Sequence, residues 1–424
     1  MFHSLFVDLN SFFASCEQQL DPRLRGRPVA VVPMMADTTS VLAASYPAKA
    51  FGVKTGTMVA DARRMCPGIV FVTGNHDDYI RFHHQIHAAI DTVIPVDRVC
   101  SIDEFACVLL REERTEAGAV KVAKAVKRAI LDRCGVALTC SIGLAPNRFL
   151  AKVAADMQKP DGLTLLRKEE LPGSLYHLDL IDLPGIGPKM KQRLEQAGIA
   201  TVERLCSLSE KELRKAWGSV IGGEWYHRLR GEMLAETRTT RRSIGHSHVL
   251  APERRGEPEA RAVMVRLVTK IAQRARACGY VGSEFSIGVR FMTPRGEPRR
   301  GWGESVRLDQ SAWGAGGGGG ENDTGLLVRA MAEMWNRKPL GRVLQVWAVL
   351  TGLMPRTSAT PLLFEERRDQ GRLSKALDLI NRKYGVDTLY PASMQSARKT
   401  APRRIAFSNI PDLDLPDVSN DDHD

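Results

Sequence analysis

Three acidic side chains interrupt apolar stretches that would otherwise exclude charge. Asp8 lies near the end of the run His3 to Leu9, and Asp103 and Glu104 sit between the runs Val96 to Ser101 and Phe105 to Leu110. A carboxylate in such surroundings requires a partner or a cation. Phosphoryl and nucleotidyl transfer use two divalent ions about 4 Å apart, bridged by carboxylates, one ion activating the attacking oxygen and the other stabilising the leaving phosphate. Three acids at strand ends can supply that bridge. Each motif alone also has a plainer reading, Asp8 as a turn or cap residue and SIDE at 101–104 as a hairpin tip.

The elements that must hold these groups follow from the patterning. The short apolar runs His3 to Leu9, Pro28 to Val32 and Ile69 to Thr73 predict strands, and Asn75 to Val93 predicts a helix. Val96 to Leu110 reads as two strands broken at SIDE, Glu116 to Cys134 as a helix, Val136 to Leu144 as a strand and Asn147 to Met157 as a helix. This mixture makes an α+β domain. From Arg167 to Arg238 there are short helical patterns punctuated by Pro and Gly, a small helical domain, and Arg238 to Arg242 is a basic linker. Then strand, helix, strand, strand, helix, strand follow as Ser243 to Leu250, Glu257 to Cys278, Glu284 to Met292, Gly301 to Asp309, Thr324 to Trp335 and Arg342 to Leu353. Gly314 to Gly320 reads as a flexible spacer, Gln370 to Tyr384 as one more helix, and the polar tail as disordered from about Ser393.

The chain has 424 residues, 43% hydrophobic and 26% charged, which fits several folded domains and excludes wholesale disorder, collagen and a disulfide scaffold. No apolar run reaches the roughly 20 residues of a membrane span, and the N-terminus shows no export signal, so a cytoplasmic protein is expected. Eight scattered cysteines without a CxxC pair read as reduced thiols rather than zinc ligands. The last fourteen residues hold six Asp and no Lys or Arg, so the first 410 carry +17 against +11 for the chain. A basic body with an acidic end suggests a polyanion partner. His76, His83, His84 and His87 crowd one helix, where a solvated face accounts for them better than a metal site lacking a third ligand.

Taken in order, FVDLNSFFASCE at 6–17, SIDE at 101–104 and GLAPNRFLAKVAADMQKPDG at 143–162 resemble the Y-family translesion DNA polymerases, nearest the bacterial polymerase IV and polymerase V catalytic-subunit groups, over roughly residues 1–390. The resemblance implies an α+β multidomain right hand: palm at 1–10 and 75–166, fingers at 11–74, helical thumb at 167–238, little finger at 239–355, and an extension at 356–424 with an acidic end. It implies template-directed synthesis past damaged bases, at low fidelity and without proofreading, by a monomer that uses two Mg²⁺ ions, for which Mn²⁺ can substitute. Asp8, Asp103 and Glu104 would hold the ions with the carbonyl of Leu9. Phe13 would be a steric gate against a ribose 2′-hydroxyl, with Phe12 beside it. Tyr46 and Lys49, in SYPAKAFGVKTG, and Lys159 would contact the dNTP triphosphate; the family more often has arginine where Lys49 stands, and lysine lacks that bidentate fork. Small finger residues, Ser11, Ala43, Ala44 and Ser45, would enclose the nascent pair loosely.

For primer-template DNA, LIDLPGIGPKMKQRLEQAGI at 180–199 reads as a helix-hairpin-helix in which Gly185 and Gly187 admit a phosphate and Lys189 and Lys191 add charge. The segment opening RRSIGHSH resembles the little finger, with Arg241, Arg242, Arg290, Arg299, Arg300 and Arg307 as phosphate contacts. TPLLFEE at 360–366 resembles a degraded sliding-clamp peptide, keeping Leu363 and Phe364 but having Thr360 and Pro361 where Gln and Leu are usual. Clamp and other damage-response proteins are thus expected partners, and a membrane is not. A noncatalytic DNA- and clamp-binding adaptor is the alternative, disfavoured by the three acids. A helix-hairpin-helix glycosylase or nuclease would leave those acids and Phe13 without a purpose.

Overall fold

The computed structural model describes residues 1–37, 39–235, 241–294, 297–308, 323–358, 370–398 and 400–401. By their contacts these fall into two units, Met1–Thr237 and Arg238–Arg404. The first contains, in chain order, β1 (Ser4–Leu9), α1 (Phe12–Leu20), β2 (Val29–Val32), β3 (Ala43–Ala44), α2 (Tyr46–Lys49), α3 (Val59–Met65), β4 (Val70–Thr73), α4 (His76–Asp91), β5 (Val96–Ser101), β6 (Glu104–Val108), α5 (Glu116–Cys134), β7 (Cys140–Ala145), α6 (Arg148–Met157) and β8 (Leu163–Leu165). Four short helices follow, α7 (Pro188–Gln196), α8 (Val202–Ser207), α9 (Glu210–Trp217) and α10 (Ile221–Leu229).

The main sheet has the order β5-β6-β1-β7-β8, with β1 antiparallel to both of its neighbours. Every residue of β1 is buried, so this central strand is an unbroken apolar run apart from Ser4 and Asp8, rather than an alternating one. Helix α6 lies flat on β7 because Gly143 has no side chain: a Cβ there would meet the Ala151 carbonyl oxygen at 2.0 Å and the Ala155 amide nitrogen at 2.5 Å. A smaller sheet, β3-β2-β4, has its own core of Ala30, Val32, Val41, Val53 and Val59. The four short helices share a core with α6, in which Leu150 and Ala154 meet Leu194, Leu213 and Trp225.

The second unit contains β9 (Ser243–Val249), α11 (Glu257–Ala277), β10 (Tyr280–Val281), β11 (Glu284–Phe291), β12 (Gly301–Arg307), α12 (Thr324–Asn336), β13 (Val343–Thr351), β14 (Met354–Pro355) and α13 (Gln370–Tyr384). Its antiparallel sheet has the order β12-β11-β13-β9. Phe285, Ile287, Val346 and Leu350 form a core with Val263, Leu267, Ile271 and Met331 of α11 and α12.

Three expectations are corrected. The tail does not lose order at Ser393: Ala392–Ala397 forms a 3-10 turn, and Met394, Ala397 and Ala401 are buried. The reason lies in α11, which also buries Arg266 and Lys270. Arg266 donates to the Asp387 carboxylate at 2.5 Å and the Thr400 carbonyl at 2.6 Å, and Lys270 to the Ala401 carbonyl at 2.8 Å. Buried cations need such acceptors, and the C-terminal residues supply them. Second, the helix expected before the hairpin at 184–187 is only a 3-10 turn, Leu180–Asp182, because Pro184 follows at once. Third, β7 starts at Cys140, after a turn led by Gly135. The glycine run 314–320 and TPLLFEE, with Leu363 and Phe364, lie outside the described residues.

Candidate active site

The pairing of β1 with β6 puts Asp8 directly opposite Glu104. Like charges facing each other across a ladder destabilise it, so this pair needs a cation. Asp103 follows β5 in the turn, where its carbonyl accepts from the Leu9 amide at 2.9 Å. Asp8 is 4% exposed. The three acids therefore come together as their motifs imply.

Two ammonium groups, both from the 143–162 segment, enter the cluster. Lys152, on α6, bonds Asp8, lies 2.7 Å from Glu104 Oε1 and 3.2 Å from Asp156 Oδ1. Lys159 lies 2.6 Å from Asp8 Oδ1 and 2.8 Å from Asp156 Oδ1. Burial alone would lower the pKa of Lys152, but Asp8, Asp156 and Glu104 outweigh it and hold the group charged. Lys159 is raised in the same way, against burial, by Asp8 and Asp156. Asp103 turns aside to the Ser101 hydroxyl at 2.5 Å. Its pKa is raised to about 6, chiefly by withdrawal from water and further by the charges of Asp8 and Glu104, against the Ser101 bond.

Among the described residues no three acidic, imidazole or thiol groups converge into a closed metal site. The donor set nevertheless suits hard divalent ions, being all oxygen, and the Lys152 ammonium already stands where Asp8 and Glu104 share a positive charge. The residues fit the group, with lysine nitrogen as the present counter-ion.

Asn10 fixes the end of β1. Its amide donates to Ser141 Oγ at 3.0 Å, and its oxygen accepts from Thr139 Oγ1 at 3.1 Å and the Asp161 amide at 2.8 Å. Ser11 then takes a left-handed backbone, φ 50°, and opens α1 without a side-chain cap, its own Oγ buried and unbonded. Phe12 is 3% exposed, a core residue. Phe13 is half-buried, its ring stacked on Tyr79 with centroids 4.4 Å apart and planes 14° apart. The Tyr79 hydroxyl donates to Glu17 Oε1 at 2.6 Å.

Tyr46 and Lys49 are preassembled on α2, the Lys49 ammonium 4.4 Å from the Tyr46 ring centroid. Burial raises the pKa of the Tyr46 hydroxyl, and the Asp8 charge adds to this against Lys159. Ala44 and Ser45 are buried, and Ser45 Oγ accepts from the Val29 amide at 2.8 Å. Of the small residues expected around the nascent pair, then, only Ser11 and Ala43 remain partly exposed. His83 is not on a solvated face but 3% exposed, 2.7 Å from the Ile102 carbonyl through Nδ1. Burial is the first cause lowering its pKa to about 4. All eight cysteines are free thiols.

Farther along the chain, Gly185 (φ 102°), Gly187 and Lys189 are exposed, with Lys191 half-buried beside Glu195. In the second unit the ladder places Arg290 and Arg307 on the sheet face that also carries Gly245, Ser247, Ser286, Gly288, Gly303 and Trp347. Arg299 and Arg300 sit at the start of β12, Arg300 with its guanidinium 6.0 Å from the Phe291 ring. Arg242 is exposed before β9, and Arg241 meets Cys278 Sγ at 3.1 Å.

Sequence reasoning missed Lys152, Asp156 and Asn147. The first two are an i,i+4 pair, which read alone is an ordinary helix-surface contact. Asn147 caps α6, accepting from the Leu150 amide at 2.8 Å, while its amide donates to the Arg228 and Glu232 carbonyls at 2.9 and 3.0 Å.

Comparison with known proteins gives the following. Residues 7–156 match the impB/mucB/samB family, residues 181–232 the DNA polymerase-iota thumb domain, and residues 241–359 the impB/mucB/samB family C-terminal domain. The chain is 36% identical to DNA polymerase IV of Moorella thermoacetica over 398 residues, 92% of this chain and 95% of that protein. It is 28% identical to DNA polymerase IV 1 of Bacillus subtilis over 95% of both. In fold it is similar to a Y-family DNA polymerase chimera of Dbh and Dpo4, with a TM-score of 0.67 and 22% identity over 83% of this chain and 99% of that one. DinB of Sulfolobus solfataricus gives a TM-score of 0.52 and 23% identity over 82% and 98%.

Proposed function

The chain belongs to the impB/mucB/samB family of Y-family DNA polymerases, and on that premise we propose how its residues divide the work. It is a DNA-directed DNA polymerase of the translesion class, adding a deoxynucleoside monophosphate to a primer 3′-hydroxyl with loss of pyrophosphate. Y-family polymerases are generally dependent on divalent metal. Here we assign Mg²⁺, with Mn²⁺ as a substitute, to Asp8, Asp103, Glu104 and the Leu9 carbonyl. When bound, the ions lower the pKa of the hydroxyl and neutralise the phosphates.

The remaining steps fall to side chains and amides. Tyr46 presents a protonated hydroxyl to the triphosphate, and Lys49 and Lys159 balance its charge. The uncapped α1 amides and the unbonded Ser11 hydroxyl can receive its oxygens. Phe13, backed by Tyr79, excludes a 2′-hydroxyl, and Phe12 supports it from the core. We place the palm at 1–10 and 75–166, the fingers at 11–74, the thumb at 167–238 and the little finger at 239–355, with 356–424 as its extension. Primer-template DNA would lie against Gly185, Gly187, Lys189 and Lys191, and against the open little-finger sheet, where small residues admit phosphates to the backbone and Arg290 and Arg307 attract them. Arg241, Arg242, Arg299 and Arg300 would add charge at its borders. Leu363 and Phe364 are retained as candidate sliding-clamp contacts. No helix among the described residues is long and apolar enough to cross a membrane, and a cytoplasmic monomer working with other damage-response proteins remains the reading.

The observation that carries the assignment is the ladder placing Asp8 opposite Glu104, beside Asp103. Primer extension with Mg²⁺ and all four dNTPs tests it. The wild type should extend an undamaged template and a lesion template, and Asp103→Ala with Glu104→Ala should extend neither while still binding DNA. Extension by that double variant would move the reaction elsewhere. Binding without extension by the wild type would favour an adaptor.

A further inference from the structure

Lys152 touches more of the acidic cluster than any lysine the reaction was expected to use. Its side chain is 19% exposed, its ammonium is shared by Asp8 and Glu104, and a third carboxylate, Asp156, holds it from one turn farther along α6. The Phe6 ring lies beneath, 5.5 Å from Nζ. Lys159 is tied in parallel to Asp8 and Asp156. Asp156 is thus the one acid that both lysines share and that the metal assignment does not require.

Resting on that assignment, we propose that Lys152 is a built-in competing cation that sets the metal affinity of the site, and that Asp156 is the place to which it withdraws. Asp8 and Glu104, facing across the ladder, repel one another unless a positive charge lies between them. An ammonium and a divalent ion cannot occupy the same oxygens together, so an incoming ion must displace Lys152. Asp156 lowers the cost of that exchange, because the displaced ammonium keeps one carboxylate instead of entering water unpaired. Lys152 is therefore a positioning residue that acts through the ligands.

The test uses the full chain without DNA or nucleotide, with Mn²⁺ as the probe, followed by its paramagnetic resonance and by thermal unfolding in EDTA or Mn²⁺. Lys152→Met should bind Mn²⁺ on the order of ten-fold more tightly. It should unfold at a lower temperature in EDTA and regain the difference in Mn²⁺. Lys152→Arg, which keeps the charge, should stay near the wild type. Asp156→Asn should shift affinity the opposite way, towards weaker binding, and carries the test if Lys152→Met does not fold. Equal affinity in wild type and Lys152→Met, or a loss of stability that Mn²⁺ does not restore, would make Lys152 a packing residue and overturn the proposal. Primer extension by the wild type distinguishes the failures. Extension with unchanged affinities sinks this proposal alone, and neither extension nor Mn²⁺ binding sinks the metal assignment with it.

Discussion

At the scale of the residue, Phe13 is a gate only because something holds it flat. Tyr79 stacks beneath it and is itself fixed through Glu17. Phe13→Ala is therefore expected to raise ribonucleotide incorporation relative to deoxynucleotide by ~10- to 100-fold, and Tyr79→Ala to give a smaller rise of the same kind; unchanged sugar selection in steady-state insertion assays would remove Phe13 from this role. His83 gives a prediction about pH. Its pKa of about 4 lies below the model value of 6.5, so above pH 6.5 it is neutral in both folded and unfolded chains. Between pH 6.5 and 4 the unfolded chain binds more protons, and stability falls by up to about 3 kcal/mol as pH drops through that window. Urea denaturation at pH 7 and pH 5 should show this, and His83→Phe should flatten it. The three acids were legible in the sequence because charge stands out in an apolar run. Lys152 was not, because a lysine four residues before an aspartate is commonplace on helix surfaces, and only the ladder shows that its ammonium reaches across to β1.

The element that brings chemistry to the sheet is α6, and its seat is Gly143. A methyl group there would strike helix backbone, which cannot swing aside as a side chain can. Gly143→Ala should cost about 1–3 kcal/mol and lift Lys152 and Lys159 away from Asp8, lowering kcat and raising KM for dNTP. A variant with an unchanged melting temperature and unchanged kinetics would refute this coupling. Most helices and strands were readable from periodicity, α5 and α13 to the residue. Helix α1 was not, because it opens on a left-handed Ser11 with no cap and no acid in its first turn. The turn at Leu180–Asp182 was read as a helix because apolar spacing does not register that Pro184 and Gly185 leave no room for a second turn. The positions of His83 and Ser45 depend on contacts with the Ile102 carbonyl and the Val29 amide, which no local pattern reveals.

At the scale of the whole molecule, the second unit ends later than its family match does. The match stops at residue 359, yet Arg266, Lys270 and Arg276 on α11 find acceptors at Asp387, Thr400, Ala401 and Asp378. A chain ending at Ser358 would leave those cations unpaired, at about 3–5 kcal/mol for a broken buried pair. Limited proteolysis should then cut α11 in the shortened chain and spare it in the full one; equal resistance would show that the extension is dispensable. The extension was misread as a tail because its polar composition hides the few small residues, Met394, Ala397 and Ala401, that seal the core. Its place in the chain also sets an order in time. Ribosomes add about 5 to 20 residues per second, and domains fold as they emerge. The catalytic unit is complete once Thr237 has been made, whereas the second unit waits for Ala401, roughly 8 to 30 seconds later. Each nascent chain thus passes through an interval in which the site that joins nucleotides has formed and the unit assigned to grip DNA has not.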